Sequence, residues 1–281
     1  MSVILDGKAL AARLKEDLSK EIASLKQQYH HTPRIMSIAF GQSAASQSYI
    51  TSQQKTAQSL GIHYALQVLD EKLPQQEAVN FIQKVNSSPE VHGIIINKPI
   101  PASIDFYTLI NAIVPHKDIE GMNLTNLGAL LMNKSHLWPC TPAAALALLK
   151  SCGLSLQGKH AVIIGRSEIV GKPMALLLLK EDMTVTLCHS KTVDLEDHLR
   201  GADVVVAALG KPLFVKGDWI KEGAVVIDVG INQHEGKIVG DVDFDSAKDK
   251  AGYISPVPGG VGPVTAVILM KNALEAFKQS L

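Results

Sequence analysis

The chain is short of cysteine, of aromatic side chains and of any charge imbalance. Its three cysteines, Cys140, Cys152 and Cys188, are sparse and odd in number, with no metal-ligand spacing, which favours a reducing compartment over a disulfide framework. Lys plus Arg count 27 and Asp plus Glu count 27, so the formal net charge is zero. No global basic field therefore argues for nucleic acid or an anionic membrane surface. No apolar run approaches the ~20 residues of a membrane span, and the stretch Met1–Lys8 lacks the apolar run and cleavage site of a signal peptide. His30 and His31 are adjacent and His189 is isolated, so no histidine pair sits at metal spacing. No Ser or Cys occupies a nucleophile-elbow pattern. These absences leave a soluble cytoplasmic protein without a metal as the expectation. What is present is core: 46% of the 281 residues are hydrophobic and 19% charged, enough for two domains of ordinary size.

The informative stretch is Gly158 to Met174. His160–Ile164 is a short apolar run rich in β-branched residues, Gly165 breaks it, and a helical pattern follows from Val170 to Leu179. A strand that ends at glycine and opens a helix presents free backbone N–H groups at a positive helix end, which suits a phosphate. The spacing Gly165-x5-Gly171 is not the common G-x-G-x-x-G, so alone it is a weak nucleotide signal. A second strand, Thr184–Cys188, then ends in His189-Ser-Lys-Thr192. An NAD fold places an acidic residue there for the ribose hydroxyl. No acid stands there. Ser190, Lys191 and, in the preceding turn, Arg166 are hydroxyl and cationic donors suited to the extra phosphate of NADP.

The first half alternates strand and helix. Leu10–Tyr29 is an amphipathic helix by its apolar spacing, Arg34–Phe40 a strand, Ser46–Leu60 a helix stopped by Gly61, and His63–Leu69 a strand. Gln75–Val85 reads as helix, Val91–Ile96 as a buried strand and Asp105–Ile113 as helix. The alternation predicts a parallel α/β sheet. Pro139–Pro142 reads as a hinge into a helix over Ala143–Cys152. Asp203–Gly210 and Ala224–Gly230 read as further strands. Pro256–Pro263, with three glycines and three prolines, reads as a stiff loop that is neither helix nor strand, and Val264–Leu281 as a closing helix that packs back on the first domain. The expected architecture is two α/β domains with a cleft between them. A parallel-sheet catalytic domain takes residues 1–140, completed by helix 264–281. A Rossmann-like dinucleotide domain takes residues 141–263.

The chain resembles the bacterial methylenetetrahydrofolate dehydrogenase/methenyltetrahydrofolate cyclohydrolase family over essentially its whole length. The motifs that carry this are Gly165-Arg-Ser-x-x-Val-Gly-Lys-Pro173, Cys188-His-Ser-Lys-Thr192, Gly217-Asp-Trp-Ile220, Val226-Ile-Asp-Val-Gly-Ile-Asn232, Gly240-Asp-Val-Asp243 and Pro256-Val-Pro-Gly-Gly-Val-Gly-Pro-Val-Thr265. The resemblance implies NADP-linked oxidation of 5,10-methylenetetrahydrofolate in one-carbon metabolism and purine biosynthesis. Hydrolysis of the methenyl product to 10-formyltetrahydrofolate would follow, usually in a homodimer. It further implies that Gly165, Arg166, Ser167, Ser190 and Ile231 contact the cofactor. Tyr49 and the loop Pro258, Gly259, Gly260, Val261 and Gly262 match positions that hold the folate.

The first half departs from the family pattern at three places. The family helix reads Tyr-x-x-x-Lys-x-Lys, and here it is Tyr49-Ile-Thr-Ser-Gln53-Gln-Lys55, so the catalytic lysine is Gln53. The family glutamine after the third strand is Asn97, and the family aspartate before Gly121 is Glu120. Tyr49, Gln53, Asn97 and Glu120 are the candidate catalytic residues, with Asn97 also a substrate contact. Hydride transfer depends largely on positioning, and the folate nitrogen lone pair assists departure of the hydride. Water attack on the methenyl cation needs a group that activates water or shuttles protons, typically ~10²–10⁴ in rate. A glutamine amide does not titrate, and unlike an ammonium it does not oppose a cationic product. Dehydrogenase activity with weak or absent cyclohydrolase is therefore expected. Lys98, adjoining Asn97, is a candidate replacement for the lysine; Lys55 lies nearly opposite Gln53 on the helix. Two alternatives stay open: a folate-binding relative without turnover, and an NADP dehydrogenase for another small substrate.

Overall fold

The computed structural model describes residues 2–41 and 44–281. The chain divides into two compact units. The first comprises Met1–Arg13 and Pro139–Thr265; the second comprises Leu14–Trp138 and Ala266–Leu281. Both are α/β, each with a parallel sheet.

The chain starts with β1 (Val3–Ile4) and α1 (Gly7–Tyr29). Asp6 caps α1, its carboxylate accepting from the N–H groups of Lys8 and Ala9 at 2.9 and 3.0 Å. The second unit continues with β2 (Arg34–Phe40), α2 (Ala44–Ser59), β3 (His63–Leu69), α3 (Gln75–Asn86) and β4 (Gly93–Ile96). It closes with α4 (Phe106–Ala112), a 3-10 turn at Pro115–Lys117, and α5 (Leu124–Leu131). The sheet order is β3-β2-β4, all parallel. β4 is short yet firmly held, because Ile94, Ile95 and Ile96 are almost wholly buried, each contributing about 1.5–3 kcal/mol of burial.

In the first unit follow α6 (Cys140–Lys150), β5 (His160–Ile164), α7 (Gly171–Lys180), β6 (Thr184–Cys188), α8 (Leu195–Arg200) and β7 (Val204–Ala207). After β8 (Val225–Asp228) come an antiparallel ribbon of β9 (Asn232–His234) and β10 (Lys237–Val239), then α9 (Phe244–Ala247), β11 (Tyr253–Ile254) and α10 (Val261–Lys278). The six strands run parallel in the order β1-β11-β8-β7-β5-β6. β5 has β6 on one side and β7 on the other, so the chain reverses its direction of travel across the sheet there. That reversal is the place where open α/β sheets bind ligands.

Three boundaries differ from expectation. Residues 1–13 join the first unit rather than a continuous 1–140 block, because β1 pairs with β11 at the edge of the large sheet. Helix α10 begins at Val261, so Val261, Gly262 and Pro263 form its first turn instead of loop. Helix α6 likewise begins at Cys140 and takes in Thr141 and Pro142. A first-turn proline is tolerated because its missing N–H would have had no intrahelical partner. The last part of α10 is tied to the second unit, where the Asn272 amide donates to the carbonyls of Ile119 and Trp138 at 2.8 and 2.9 Å.

Candidate active site and cofactor loops

In the second unit, register brings three polar residues to one face of the small sheet. Ser37 pairs with Leu66 and with Ile95, while Tyr64 and Asn97 each stand two residues from those partners, Asn97 just past the end of β4. Alternation with period two puts all three side chains on the same face, and Gln53 of α2 meets them there. The phenol oxygen of Tyr64 lies 2.6 Å from Gln53 Oε1 and 2.8 Å from Ser37 Oγ. The Asn97 amide donates to Ser37 Oγ at 2.6 Å and to the Ile38 carbonyl at 3.0 Å. Gln53 is fully buried and Asn97 nearly so. Gln53 Nε2 and Asn97 Oδ1 are buried and have no hydrogen-bond partner among the described residues; a buried polar atom in that condition costs about 1–3 kcal/mol.

Glu120 closes the cluster on the β4 side, accepting from the Ile96 N–H at 3.3 Å. Burial, aided by the neighbouring Asp118 carboxylate, pushes its carboxyl up to about 7. Asp118 is held by the Asn123 N–H and the Asn126 amide at 2.7 and 2.9 Å, and burial pushes its pKa up as well. Burial likewise drives the Tyr64 phenol up to about 12. Three lysines stand near this cluster in sequence. Lys55 is exposed on α2. The Lys98 ammonium sits 3.9 Å from the centre of the Phe106 ring. Lys117 donates to the carbonyls of Asn86 and Ser88, both at 2.7 Å, and tethers the end of α3. Tyr49 is about half exposed on α2.

In the first unit, the carboxyl edges of neighbouring strands gather the cofactor candidates. The Gly165 N–H donates to the Cys188 carbonyl at 2.9 Å, which sets the turn after β5 beside the turn after β6. Gly165 has φ +119, and a Cβ there would lie 2.0 Å from the Ala208 carbonyl oxygen. A Cβ on Gly171 would lie 1.8 Å from the Gly165 oxygen. Both positions require glycine. The start of α7 packs tightly on the strand end, with Ser167 Oγ accepting from the Val170 N–H at 3.2 Å. Arg166, Ser190 and Lys191 are exposed at this edge, and Ile231 stands out from the end of β8 at 72% exposure.

Two buried aspartates hold the remaining loops. Asp228 accepts from the N–H groups of Gly230, Asp241 and Val242 at 2.8–3.0 Å, and burial raises its carboxyl to about 6. Asp241 accepts from the N–H groups of Leu209, Gly210 and Lys211 and from the Asn232 amide, at 2.6–2.9 Å. Gly259, Gly260 and the exposed Pro258 precede α10, and Val257–Pro258 is a cis peptide bond. The Gly260 N–H closes the loop on the Pro256 carbonyl at 2.8 Å.

Residues 139–281 match the family model for the NAD(P)-binding domain of tetrahydrofolate dehydrogenase/cyclohydrolase, and residues 5–120 match the model for its catalytic domain. The chain belongs to the tetrahydrofolate dehydrogenase/cyclohydrolase family. It is 44% identical over 281 residues to the bifunctional protein FolD of Bacillus pumilus, covering 100% of this chain and 99% of that one. Among solved structures, the bifunctional FolD methylenetetrahydrofolate dehydrogenase/cyclohydrolase of Campylobacter jejuni superposes with a TM-score of 0.97 at 41% identity, covering 100% of both chains. The Trypanosoma brucei enzyme, solved with NADP and an inhibitor, superposes with a TM-score of 0.94 at 38% identity over 99% and 98% of the two chains.

Within this family frame, the structure brings Gln53, Asn97 and Glu120 to one end of the small sheet and Gly165, Arg166, Ser167, Ser190 and Ile231 to one edge of the large one. Tyr49 lies one turn before Gln53 on α2. Sequence reasoning missed Ser37 and Tyr64, which link Asn97 to Gln53. A serine in the middle of the apolar run Arg34–Phe40 was the available signal. It also missed Asp228 and Asp241 as loop anchors, although both lie in motifs that carried the family resemblance.

Proposed function

We propose that this chain is an NADP-dependent methylenetetrahydrofolate dehydrogenase whose methenyltetrahydrofolate cyclohydrolase activity is weak or absent. The observation that carries the second half is the buried Gln53 amide, at the position of the family's lysine and engaged by Tyr64. An amide neither takes nor gives a proton at neutral pH, so the water that must attack the methenyl cation finds no activated amine.

The dehydrogenase half asks less of the cluster. The residues of the large sheet fit the cofactor: the glycine turn leaves no room for a side chain where a pyrophosphate backbone would approach, and α7 begins beside it. Arg166, Ser190 and Lys191 are the donors for a 2′-phosphate. NADP, when bound, supplies the hydride acceptor. Tyr49 holds the folate, Gln53 and Asn97 orient its reacting end, and no side chain has to remove a proton. The neutral Gln53 does not repel the cationic product, which favours formation of the methenyl species. The protein works as a homodimer in the cytoplasm.

Glu120 supports one further reading. Its carboxyl, held near 7 by burial and Asp118, is the group of this cluster best placed to titrate at neutral pH, so any hydrolysis that remains follows its ionisation. The test starts from methenyltetrahydrofolate itself. The wild-type protein should hydrolyse it no faster than a few times the buffer rate. Any excess should rise through pH 7 and vanish in Glu120→Gln. Hydrolysis far above buffer that survives Glu120→Gln would overturn both statements.

A further inference from the structure

The hydrogen count of the Asn97–Ser37–Tyr64–Gln53 contacts fixes a direction. Asn97 reaches both the Ile38 carbonyl and Ser37 Oγ with one atom. A backbone carbonyl only accepts, so that atom is the amide nitrogen, and Ser37 Oγ accepts from it. Ser37 then has its own hydrogen to place, and the Tyr64 oxygen lies 2.8 Å away. Tyr64 has a single hydrogen, and Gln53 Oε1, at 2.6 Å, can only accept. With Gln53 Oε1 facing Tyr64, the hydrogens of Asn97, Ser37 and Tyr64 all find acceptors in one arrangement: Asn97 to Ser37, Ser37 to Tyr64, Tyr64 to Gln53. Turning the Gln53 amide round would make it donate to Tyr64 and leave either the Tyr64 or the Ser37 hydroxyl hydrogen without an acceptor among these atoms.

We infer that Ser37 and Tyr64 are positioning residues that lock the two amides of the site, so that Gln53 presents its NH₂ group and Asn97 its carbonyl oxygen to the bound folate. These are two of the three buried side-chain atoms without a partner among the described residues, and both belong to side chains that are at least nine-tenths buried. The chain of hydroxyls thus converts the position of a charged lysine into a neutral donor of fixed direction. The phenol suits the task, since burial keeps it protonated far above neutral pH. This inference rests on the reading of Gln53 and Asn97 as site residues, and its test separates the two.

The experiment is a double-mutant cycle on Tyr64→Phe and Gln53→Leu, read in two ways. The first is dehydrogenase kcat and KM for methylenetetrahydrofolate and for NADP. The second is tetrahydrofolate affinity by fluorescence quenching, which needs no turnover. Tyr64→Phe should lower kcat/KM for the folate about tenfold and leave the KM for NADP unchanged. Gln53→Leu should do the same, and the double variant should fall within about twofold of Gln53→Leu. Ser37→Ala, which deletes a single oxygen earlier in the chain, should reproduce the Tyr64→Phe pattern even if the latter folds poorly. Multiplicative losses in the double variant, or a Tyr64→Phe protein within twofold of wild type in both readouts, would overturn the relay. A wild type that binds tetrahydrofolate and shows the coupling in affinity, but does not reduce NADP, would remove the dehydrogenase reading while sustaining the relay. A Gln53→Leu protein unaltered in both readouts would remove the site reading and the relay together.

Discussion

The two units treat their buried polar groups in opposite ways. In the large-sheet unit, both oxygens of Asp228 and both of Asp241 accept hydrogen bonds, mostly from backbone N–H groups of the loops after β7 and β8. In the small-sheet unit, Gln53, Asn97 and Asp118 each keep a buried atom without a partner among the described residues. A saturated carboxylate holds a loop in one shape and has little else to offer. An amide with one end fixed and the other unspent can bind something. On the proposed reading, the first unit is a preorganised cradle and the second is where a ligand completes the structure.

The comparison can be broken most forcefully at Asp241. Asp241→Ala strands three backbone N–H groups and the Asn232 amide, and should cost about 3 kcal/mol or more, seen as a large drop in the melting temperature. NADP binding should be lost with it, which fluorescence titration would show. A small loss of stability with NADP affinity intact would mean that the loop holds itself. At Arg166 and Lys191 the expected effect is smaller. Replacing either by Ala should weaken NADP about tenfold and leave NAD unaffected, since each is assigned a charge-assisted contact to the 2′-phosphate. Equal losses for both cofactors would dismiss that assignment. Gln53→Lys should gain less than about tenfold in cyclohydrolase rate, because Asn97 and Glu120 remain altered. Full recovery would make position 53 the whole difference between this chain and a bifunctional one.

The smallest expected effect is a shift with pH. Glu120 and Asp228 have folded-state pKa values raised above those of free carboxyls, to about 7 and about 6. Their contribution to stability is therefore complete below about pH 4 and is lost as pH rises through those values. Glu120→Gln should leave the melting temperature nearly unchanged at pH 5 and raise it by a few degrees at pH 8. An equal change at both pH values would mean that Glu120 titrates normally.

Much of the frame was legible in the sequence. β2, β3, β5 and β6 end where their apolar runs end, because each run is bounded by a glycine, a proline or a polar turn. β1 and β11 were not legible, since a two-residue strand has no periodicity and its pairing partner is far along the chain. α5 was missed because Gly128 interrupts it and Leu124 and Leu131 face solvent, which erases the usual apolar stripe. At the site, Gln53, Asn97 and Glu120 stood out against a family pattern. Ser37 and Tyr64 did not, because their meeting depends on the register of β2 against β3, which no local pattern encodes.

The most direct test of the account is a two-signal assay of the purified protein with 5,10-methylenetetrahydrofolate and NADP, following NADPH and the methenyl species together. The account predicts that both rise in equal amounts, because the product forms and is not hydrolysed beyond the buffer rate. NADPH rising while the methenyl species stays near zero would contradict it, and would show that a proton-transfer group serves this site despite Gln53.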